Sequence, residues 1–394
     1  MTIAFVTFGC RLNRAETLDL QAKCAAAGHE VVAEPTAETD AVVVRGCSVT
    51  ARAQRDCEKK IAHLRARFPN ARIIIAGCLP NARKIDDLLG TVPNPGTVPD
   101  VEFHAANTSR AYLKVQDGCS GRCAFCIVPQ FRGPPRSEPF STILARARDF
   151  LANGYREIVV TGCNLALYRS EGRGLPDLVS ALAELRNSDV SHRIRLGSVE
   201  PGICDAALLD AMEAHQNVCR HVHLSLQSAA DRVLARMNRP YKIGQVAAFC
   251  SDAVRRLGPR LALGADVICG FPGETEEDFS ATRSFLGGVR FPASNDGSRT
   301  ADFSFSHLHA FPYSERPGTP AAEMADSIPR AVRLERVRML EKDAAERAEA
   351  FRARLGGQEV EICVERDGAG YSGEYVRFPA PPGAERRSLV RFKA

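Results

Sequence analysis

The chain reads as an α/β protein in three parts. These are an N-terminal parallel α/β domain, a central incomplete barrel of about six β/α units, and a short C-terminal β module. Three observations predict this. Short apolar runs alternate with helical patterns along most of the chain, as in parallel strands covered by helices. The alternation breaks at residues 91–110, rich in Pro, Gly, Asn and Thr, and again at the Gly- and Asn-rich residues 287–302. Beyond Gly356-Gly357 the period changes to that of short strands.

In the first part, residues 2–8 and 41–45 are buried strands, and Ile73–Ala76 is a third, ending at Gly77-Cys78. Helical patterns cover 14–27 and the basic stretch 52–67. Residues 91–110 form the domain edge and a linker. The barrel strands are Ala111–Gln116, Glu157–Gly162, Arg193–Gly197, His221–Leu226, Ala262–Cys269 and Ser304–Ala310. Helices at 141–152, 175–187, 205–215, 243–256 and 275–286 lie between them. Roughly 220 residues suit a barrel open on one side for a large substrate, since a complete eight-unit barrel takes about 250. Residues 287–302 read as a rim loop, and 329–354 as a long charged helix docking by its apolar stripe. VEICVER and SLVRFK read as strands of the last module. The expected domains are 1–105, 106–340, a connecting helix 341–355, and 356–394.

Composition narrows the class. An apolar share of 45% supports sizeable cores, and 394 residues suggest two or three domains. A net charge of +5 permits a nucleic-acid partner without demanding one. Fourteen cysteines would suit a secreted disulfide protein, but the start MTIAFVTFGCRLN lacks the basic and long apolar regions of a leader. No stretch approaches a membrane span. The expectation is a reducing cytoplasm, no membrane, and thiol-ligated metal. Cys24, Cys57, Cys204, Cys219, Cys250 and Cys363 read as ordinary small residues.

Cys119, Cys123 and Cys126 stand in DGCSGRCAFCIVPQFRG with C-x3-C-x2-C spacing. Three thiolates this close can hold three corners of a four-iron cluster; soft sulfur favours iron–sulfur or zinc. A closed zinc site takes four ligands, and this triplet has no fourth at the usual spacing. One iron is thereby left open to chelate a small molecule. Cys10, Cys47 and Cys78 are remote in sequence, yet each follows an apolar strand and a glycine: FVTFGC, VVVRGC, IIIAGC. In a parallel sheet such carboxyl ends share one edge. A second metal site and three plain buried cysteines both remain open on the residues alone.

Polar residues at strand ends are candidates for the site. They are Thr161 and Gly162 after EIVV, Ser198 and Glu200 after IRLG, Gln227 after HVHLSL, and Asp266 in ALGADVICGFPGE. Glu200 and Gln227 are favoured for contacts to cofactor or nucleotide, and Asp266 for substrate contact or proton handling. Arg132 is a candidate for a carboxylate or a phosphate. Arg11, Asn13 and Arg14 flank Cys10 and are expected to face the substrate, as Tyr313, Arg316 and Thr319 are expected to line the rim. Arg52, Arg55, Lys59 and Lys60 suit an RNA backbone or simply a solvated helix face. GFPGE at 270–274 shapes a tight loop and is not a phosphate-binding P-loop.

The triplet spacing, with Phe125 before its last cysteine, resembles the radical S-adenosylmethionine (SAM) enzymes. TFGCRLNRAET, RGCSVT, AGCLP, DGCSGRCAFCIVPQFRG, HVHLSLQSAADRVLARMNRPY, DVICGFPGETEEDF and LHAFPYSERPGT together resemble the methylthiotransferases within them. The resemblance implies a radical-SAM barrel and two [4Fe-4S] clusters. One, on Cys119, Cys123 and Cys126, binds SAM; an auxiliary one, on Cys10, Cys47 and Cys78, carries or delivers sulfur. It implies replacement of C–H by C–S–CH3, a reducing electron donor, a sulfur donor, and a C-terminal TRAM-like RNA-binding module at 356–394. CRLNRAE and YSERPGT resemble the branch acting on N6-threonylcarbamoyladenosine at tRNA position 37, in the anticodon stem-loop. There a base can be splayed from a single-stranded loop. The alternatives are the N6-isopentenyladenosine branch, the ribosomal-protein aspartate branch, and a non-catalytic metal-containing RNA-binding protein.

Overall fold

The computed structural model describes residues 1–79, 82, 109–185, 191–288 and 303–394. Most of the expected linker at 91–110 and nearly all of the expected rim loop at 287–302 lie outside the described residues.

The first sheet has the order β2-β1-β3-β4, all parallel, from β1 (Thr2–Thr7), β2 (Glu30–Val32), β3 (Ala41–Cys47) and β4 (Arg72–Cys78). Helices α1 (Arg11–Ala26) and α2 (Ala51–Arg67) connect these strands. Val42, Val43 and Val44 are wholly buried, which explains the unbroken apolar run of β3. The short strand β2 was not legible from its three residues. Helix α1 begins three residues before the expected position 14, directly after Cys10.

The barrel is assembled from β5 (Ala111–Asp117), β7 (Glu157–Gly162), β8 (Arg193–Leu196), β9 (Ser198–Val199), β10 (His221–Gln227), β11 (Ala262–Cys269) and β12 (Phe305–Pro312), all running parallel. A short antiparallel β6 (Arg136–Ser137) flanks β5. β8 and β9 occupy one barrel position, interrupted at Gly197, where a Cβ would stand 2.8 Å from the Val160 carbonyl oxygen. Among the described residues β12 and β5 are not paired, so the barrel is open there. The short α3 (Val128–Arg132) follows the loop after β5 and meets β4 of the first sheet. The outer layer comprises α4 (Phe140–Ala152), α5 (Leu175–Ala183), α6 (Ala206–Ala214), α7 (Asp231–Arg236), α8 (Ile243–Leu257) and α9 (Glu276–Gly287). One continuous apolar core joins strands and helices, including Leu113, Ile143, Ile158, Leu178, Leu224, Leu263 and Phe305. Helix α1 enters on the inner side, where Ala15 packs on Tyr112 and Val159.

Helix α10 (Arg330–Leu355) is a single element running through residues 340 and 341, burying Val337 and Leu340. Four antiparallel strands follow, in the order β15-β14-β13-β16, from β13 (Glu359–Val364), β14 (Ala369–Ser372), β15 (Arg377–Pro379) and β16 (Leu389–Lys393). The sequence had shown two of the four. This module docks at the amino ends of the barrel strands. Arg193, the first residue of β8, donates to the Glu361 carbonyl at 2.7 Å and the Tyr371 carbonyl at 2.5 Å. Arg195 donates to the carbonyls of Ser372 (2.7 Å) and Gly373 (3.2 Å). Tyr375 stacks on His221 with ring centroids 4.8 Å apart.

Glu157 anchors both arginines, accepting from each Nε at 2.7 Å while fully buried. Burial alone would raise its carboxyl; the Arg193 and Arg195 charges hold it well below the usual range instead. Glu157→Gln should therefore destabilise the protein by about 3 kcal/mol, because buried guanidinium charge loses its counter-ion. A lower urea midpoint at neutral pH reads this out. The Glu157 contribution is complete above the unfolded carboxyl range, about 4.3, and is lost as pH falls toward the depressed folded value. Acidification should narrow the gap between wild type and variant.

Candidate active site with two cysteine triads

The auxiliary triad is built from strand ends. Cys47 and Cys78 are direct partners across β3 and β4. Cys10 follows Gly9, whose φ of +89° lies in the left-handed region. A Cβ on Gly9 would meet Cys47 Cβ at 2.6 Å and Cys47 Sγ at 3.2 Å, so only glycine lets this turn come so close. Cys10 is exposed, while Cys47 and Cys78 are buried. Burial, reinforced by the neighbouring Cys10 and Cys78, pushes the Cys47 thiol up to about 11. Ligation there would release protons.

Asn13 ties two of these turns together. Its Nδ2 donates to the Phe8 carbonyl at 2.8 Å and the Gly46 carbonyl at 2.9 Å. Arg132 takes the third. Its Nε donates to Cys78 Sγ at 2.9 Å and its Nη2 to Asn13 Oδ1 at 3.0 Å. The remaining donors go to Glu16 at 2.9 and 3.1 Å and to Asp117 at 3.0 Å. Glu16 also pairs with Arg45, and with Lys114 at 3.1 Å. Burial raises the Glu16 carboxyl, but the Arg132 hydrogen bond and the charges of Arg45, Arg132 and Lys114 outweigh it and bring it to about 2.

The second triad lies on the loop after β5. Gly118 (φ +69°) opens it, and a Cβ there would overlap the Pro134 carbonyl oxygen at 2.0 Å. The Gly121 amide donates to Cys119 Sγ at 3.2 Å, and a Cβ on Gly121 would sit 3.1 Å from that sulfur and 3.8 Å from Cys123 Sγ. Arg239 donates from Nη1 to Cys123 Sγ at 3.1 Å and pairs with Glu200 at 3.2 Å. Glu200 also accepts from Asn164 Nδ2 at 2.7 Å. Burial pushes Cys126 up to about 11. Phe125 packs against the apolar group containing Ala124, Val233, Met237, Phe271 and Tyr313.

Both triads fit iron–sulfur clusters by donor chemistry, three soft thiolates each. Gly9 and Gly121 leave open, beside Cys47 Sγ and beside Cys119 and Cys123 Sγ, space that a Cβ would fill. Among the described residues, His223, Asp266 and His309 place three ligand atoms within 4.8 Å of one another, but these are nitrogen and oxygen donors without a thiolate.

The other sequence candidates divide. Glu200 joins the second triad through Arg239. Thr161 is buried and Gly162 packs on Gln116 at the end of β7, while Ser198 is exposed. Gln227 ends β10 with a φ of +67°. Asp266 lies midway along β11 rather than at its end. Its Oδ1 lies 3.1 Å from His223 Nε2 and 3.2 Å from His309 Nδ1. Burial raises its carboxyl, but the two imidazoles more than reverse this.

Several arginines are engaged within the protein. Arg132, expected for a carboxylate or a phosphate, gives its donors to Glu16, Asp117, Asn13 and Cys78. Arg11 turns to the C-terminal module, donating to the Tyr375 hydroxyl at 3.1 Å. Arg316 is buried and donates to Gln54 on α2, so it joins the two domains instead of lining the rim. Tyr313 and Thr319 are likewise buried. Arg14 lines a cavity of about 510 Å³ with Arg110, Tyr112, Glu365, Arg366, Asp367 and Tyr371. Arg52, Arg55 and Lys59 are exposed on α2 and Lys60 is half-buried.

Sequence reasoning missed Glu16, Asp117, Asn164, His223, Arg239, His309 and Tyr375. Gly264 was a usable signal, since a Cβ there would fall 2.4 Å from His223 Nδ1. Arg239 stood inside the quoted RMNRPY but carried no spacing rule.

Residues 113–286 match the Radical SAM superfamily model, and residues 2–95 match the model described as Uncharacterized protein family UPF0004. The chain is 30% identical over 401 residues to the Threonylcarbamoyladenosine tRNA methylthiotransferase MtaB of Rickettsia prowazekii, covering 94% of this chain and 89% of that one. The chain belongs to the radical-SAM methylthiotransferase family. It is also 30% identical over 398 residues to a tRNA-2-methylthio-N(6)-dimethylallyladenosine synthase of Cereibacter sphaeroides, covering 92% of this chain and 87% of that one. Among solved structures it resembles the cobalamin-dependent radical enzyme OxsB, with a TM-score of 0.56 at 11% identity, covering 96% of this chain and 64% of that one. The radical methyltransferase TsrM from Kitasatospora setae gives 0.52 at 14%, covering 74% and 73%. These two similarities concern the fold alone. The cofactors of this methylthiotransferase are two [4Fe-4S] clusters and SAM.

Asn13→Ala removes the tie between the Phe8 and Gly46 carbonyls, leaving buried acceptors that cost about 1–3 kcal/mol each. Anaerobically reconstituted Asn13→Ala should hold close to half the iron of wild type while still cleaving SAM. Iron analysis beside 5′-deoxyadenosine assay measures both.

Proposed function

We infer that this enzyme transfers a methylthio group to C2 of N6-threonylcarbamoyladenosine at position 37 of tRNA. The observation that carries the reading is the pair of three-cysteine sites joined by one arginine, in a chain alike over most of its length to enzymes with that name. Exposed Arg14, four residues after Cys10 on α1, would suit a threonyl carboxylate better than an apolar isopentenyl group.

Cys119, Cys123 and Cys126 would hold the SAM-binding cluster, and Cys10, Cys47 and Cys78 the auxiliary one. When bound, these groups supply the one-electron chemistry that breaks an unactivated C–H bond, together with the sulfur and methyl to be inserted. The chain's own residues position and shield. Arg239 neutralises charge at Cys123 and orients Glu200, whose carboxylate suits the polar groups of SAM. Asn164 holds the other side of Glu200. Thr161, Gly162, Ser198 and Gln227 lie at barrel strand ends around the same opening. Asp266 holds the exposed His309 ring through Nδ1, which would leave Nε2 for a substrate contact. The Phe125 ring closes the cluster loop against water.

The partners are the tRNA anticodon stem-loop, a reducing electron donor and a sulfur donor, in the cytoplasm. No helix among the described residues is long and apolar enough to cross a membrane.

The test is nucleoside mass spectrometry of tRNA from deleted and complemented cells. Loss and recovery of the methylthio mark on threonylcarbamoyladenosine supports the reading. Loss only from isopentenyladenosine, or only from a ribosomal-protein aspartate, overturns the substrate. Cys123→Ala should abolish 5′-deoxyadenosine formation. Cys47→Ala should retain much of it yet yield no methylthio product; full product from Cys47→Ala removes the auxiliary-cluster assignment.

A further inference from the structure

We propose that Arg132 is a positioning residue that sets the reduction potential of the auxiliary site from within the segment carrying the SAM-cluster cysteines. The inference rests on the reading that Cys10, Cys47 and Cys78 hold a cluster.

Arg132 lies six residues beyond Cys126, on α3, yet its Nε points at Cys78 Sγ on the other domain, 2.9 Å away. The guanidinium is locked. Glu16 takes one hydrogen from each terminal nitrogen, Asp117 takes another from Nη1, and Asn13 takes another from Nη2. Only the Nε–H remains, and its direction is fixed by the other four bonds. The side chain is 8% exposed, so water does not compete for that proton.

An N–H aimed at a cluster sulfur withdraws charge from it, and more so when the donor is cationic. Hydrogen bonds to sulfur are among the determinants of cluster potential. The reduced, more negative cluster gains most from the contact, so Arg132 raises the potential. Glu16 opposes it by drawing guanidinium charge away from Cys78. The arrangement has a counterpart on the other triad, where Arg239 donates to Cys123 Sγ and is held by Glu200. Each triad thus has one sulfur marked by an arginine with a carboxylate behind it. Arg132 differs in bridging the domains, so a shift of the SAM-cluster loop would change the donor at Cys78.

The experiment is an EPR-monitored redox titration of the auxiliary cluster in full-length protein, with Cys119, Cys123 and Cys126 changed to Ala so that one cluster remains. Arg132→Lys keeps a positive charge but lacks the fixed Nε–H. Its midpoint should fall by about 59 mV, a tenfold change for a one-electron couple. Glu16→Gln should move the midpoint upward, and this rise should shrink in the Arg132→Lys background, because both act through one bond. Unchanged midpoints at full iron occupancy overturn the proposal, as do shifts of the same sign or strictly additive ones. If Arg132→Lys loses iron, Glu16→Gln alone decides it: an unchanged or lower midpoint overturns it. Wild-type triad protein that binds no iron would instead overturn the auxiliary-cluster reading itself.

Discussion

The buried ion pair between Arg132 and Glu16 is the constraint on which the two halves of the site depend. A carboxylate and a guanidinium taken from water cost several kcal/mol each unless their hydrogen bonds are filled. Here they are filled by Asn13, Asp117, Arg45, Lys114 and the Cys78 sulfur. The partners come from α1, β3, β4, β5 and the SAM-cluster loop. Satisfying one pair therefore fixes the relative placement of the N-terminal sheet and the barrel. The seam is reinforced farther out, where the Ala51 amide donates to Ser314 Oγ at 3.0 Å and Arg316 reaches Gln54.

The barrel uses its two ends differently. At the carboxyl ends the chain leaves polar groups and thiols facing an opening, as β/α barrels do. At the amino ends it buries three cations, Arg110, Arg193 and Arg195, around Glu157 and closes them with the C-terminal module. Carbonyls of that module accept from Arg193 and Arg195, and Tyr375 fills the space between His221 and Arg195. A module that the sequence suggests for RNA also serves as the floor of the barrel.

Strand–helix alternation was legible because burial on both faces of a parallel sheet leaves long apolar runs such as AVVVRGC and RIIIAGC. The cysteine triads were legible for a related reason. A ligand at a strand's carboxyl end needs a turn tight enough to admit a cluster, and glycine before each auxiliary cysteine records that need. The polar network was not legible. Glu16 sits on a helix with weak amphipathic pattern, and nothing local separates it from a solvated acid. Arg132 read as a candidate for a carboxylate or a phosphate of a ligand. Its burial arises from residues more than 50 positions away, such as Cys78. The β2 strand and two strands of the last module were too short for periodicity to register.

By itself the sequence determined the main strand–helix alternation, the two sets of thiols and the family to which they belong. These depend on residue types at short spacing or at strand ends, where local chemistry and chain geometry decide. Only the tertiary structure decided which charges meet, which arginines are spent inside the protein and which ends of the barrel are open. A buried charge is stabilised by whatever partner the fold brings within about 3 Å. That proximity is a property of packed elements, and no local pattern of residues encodes it.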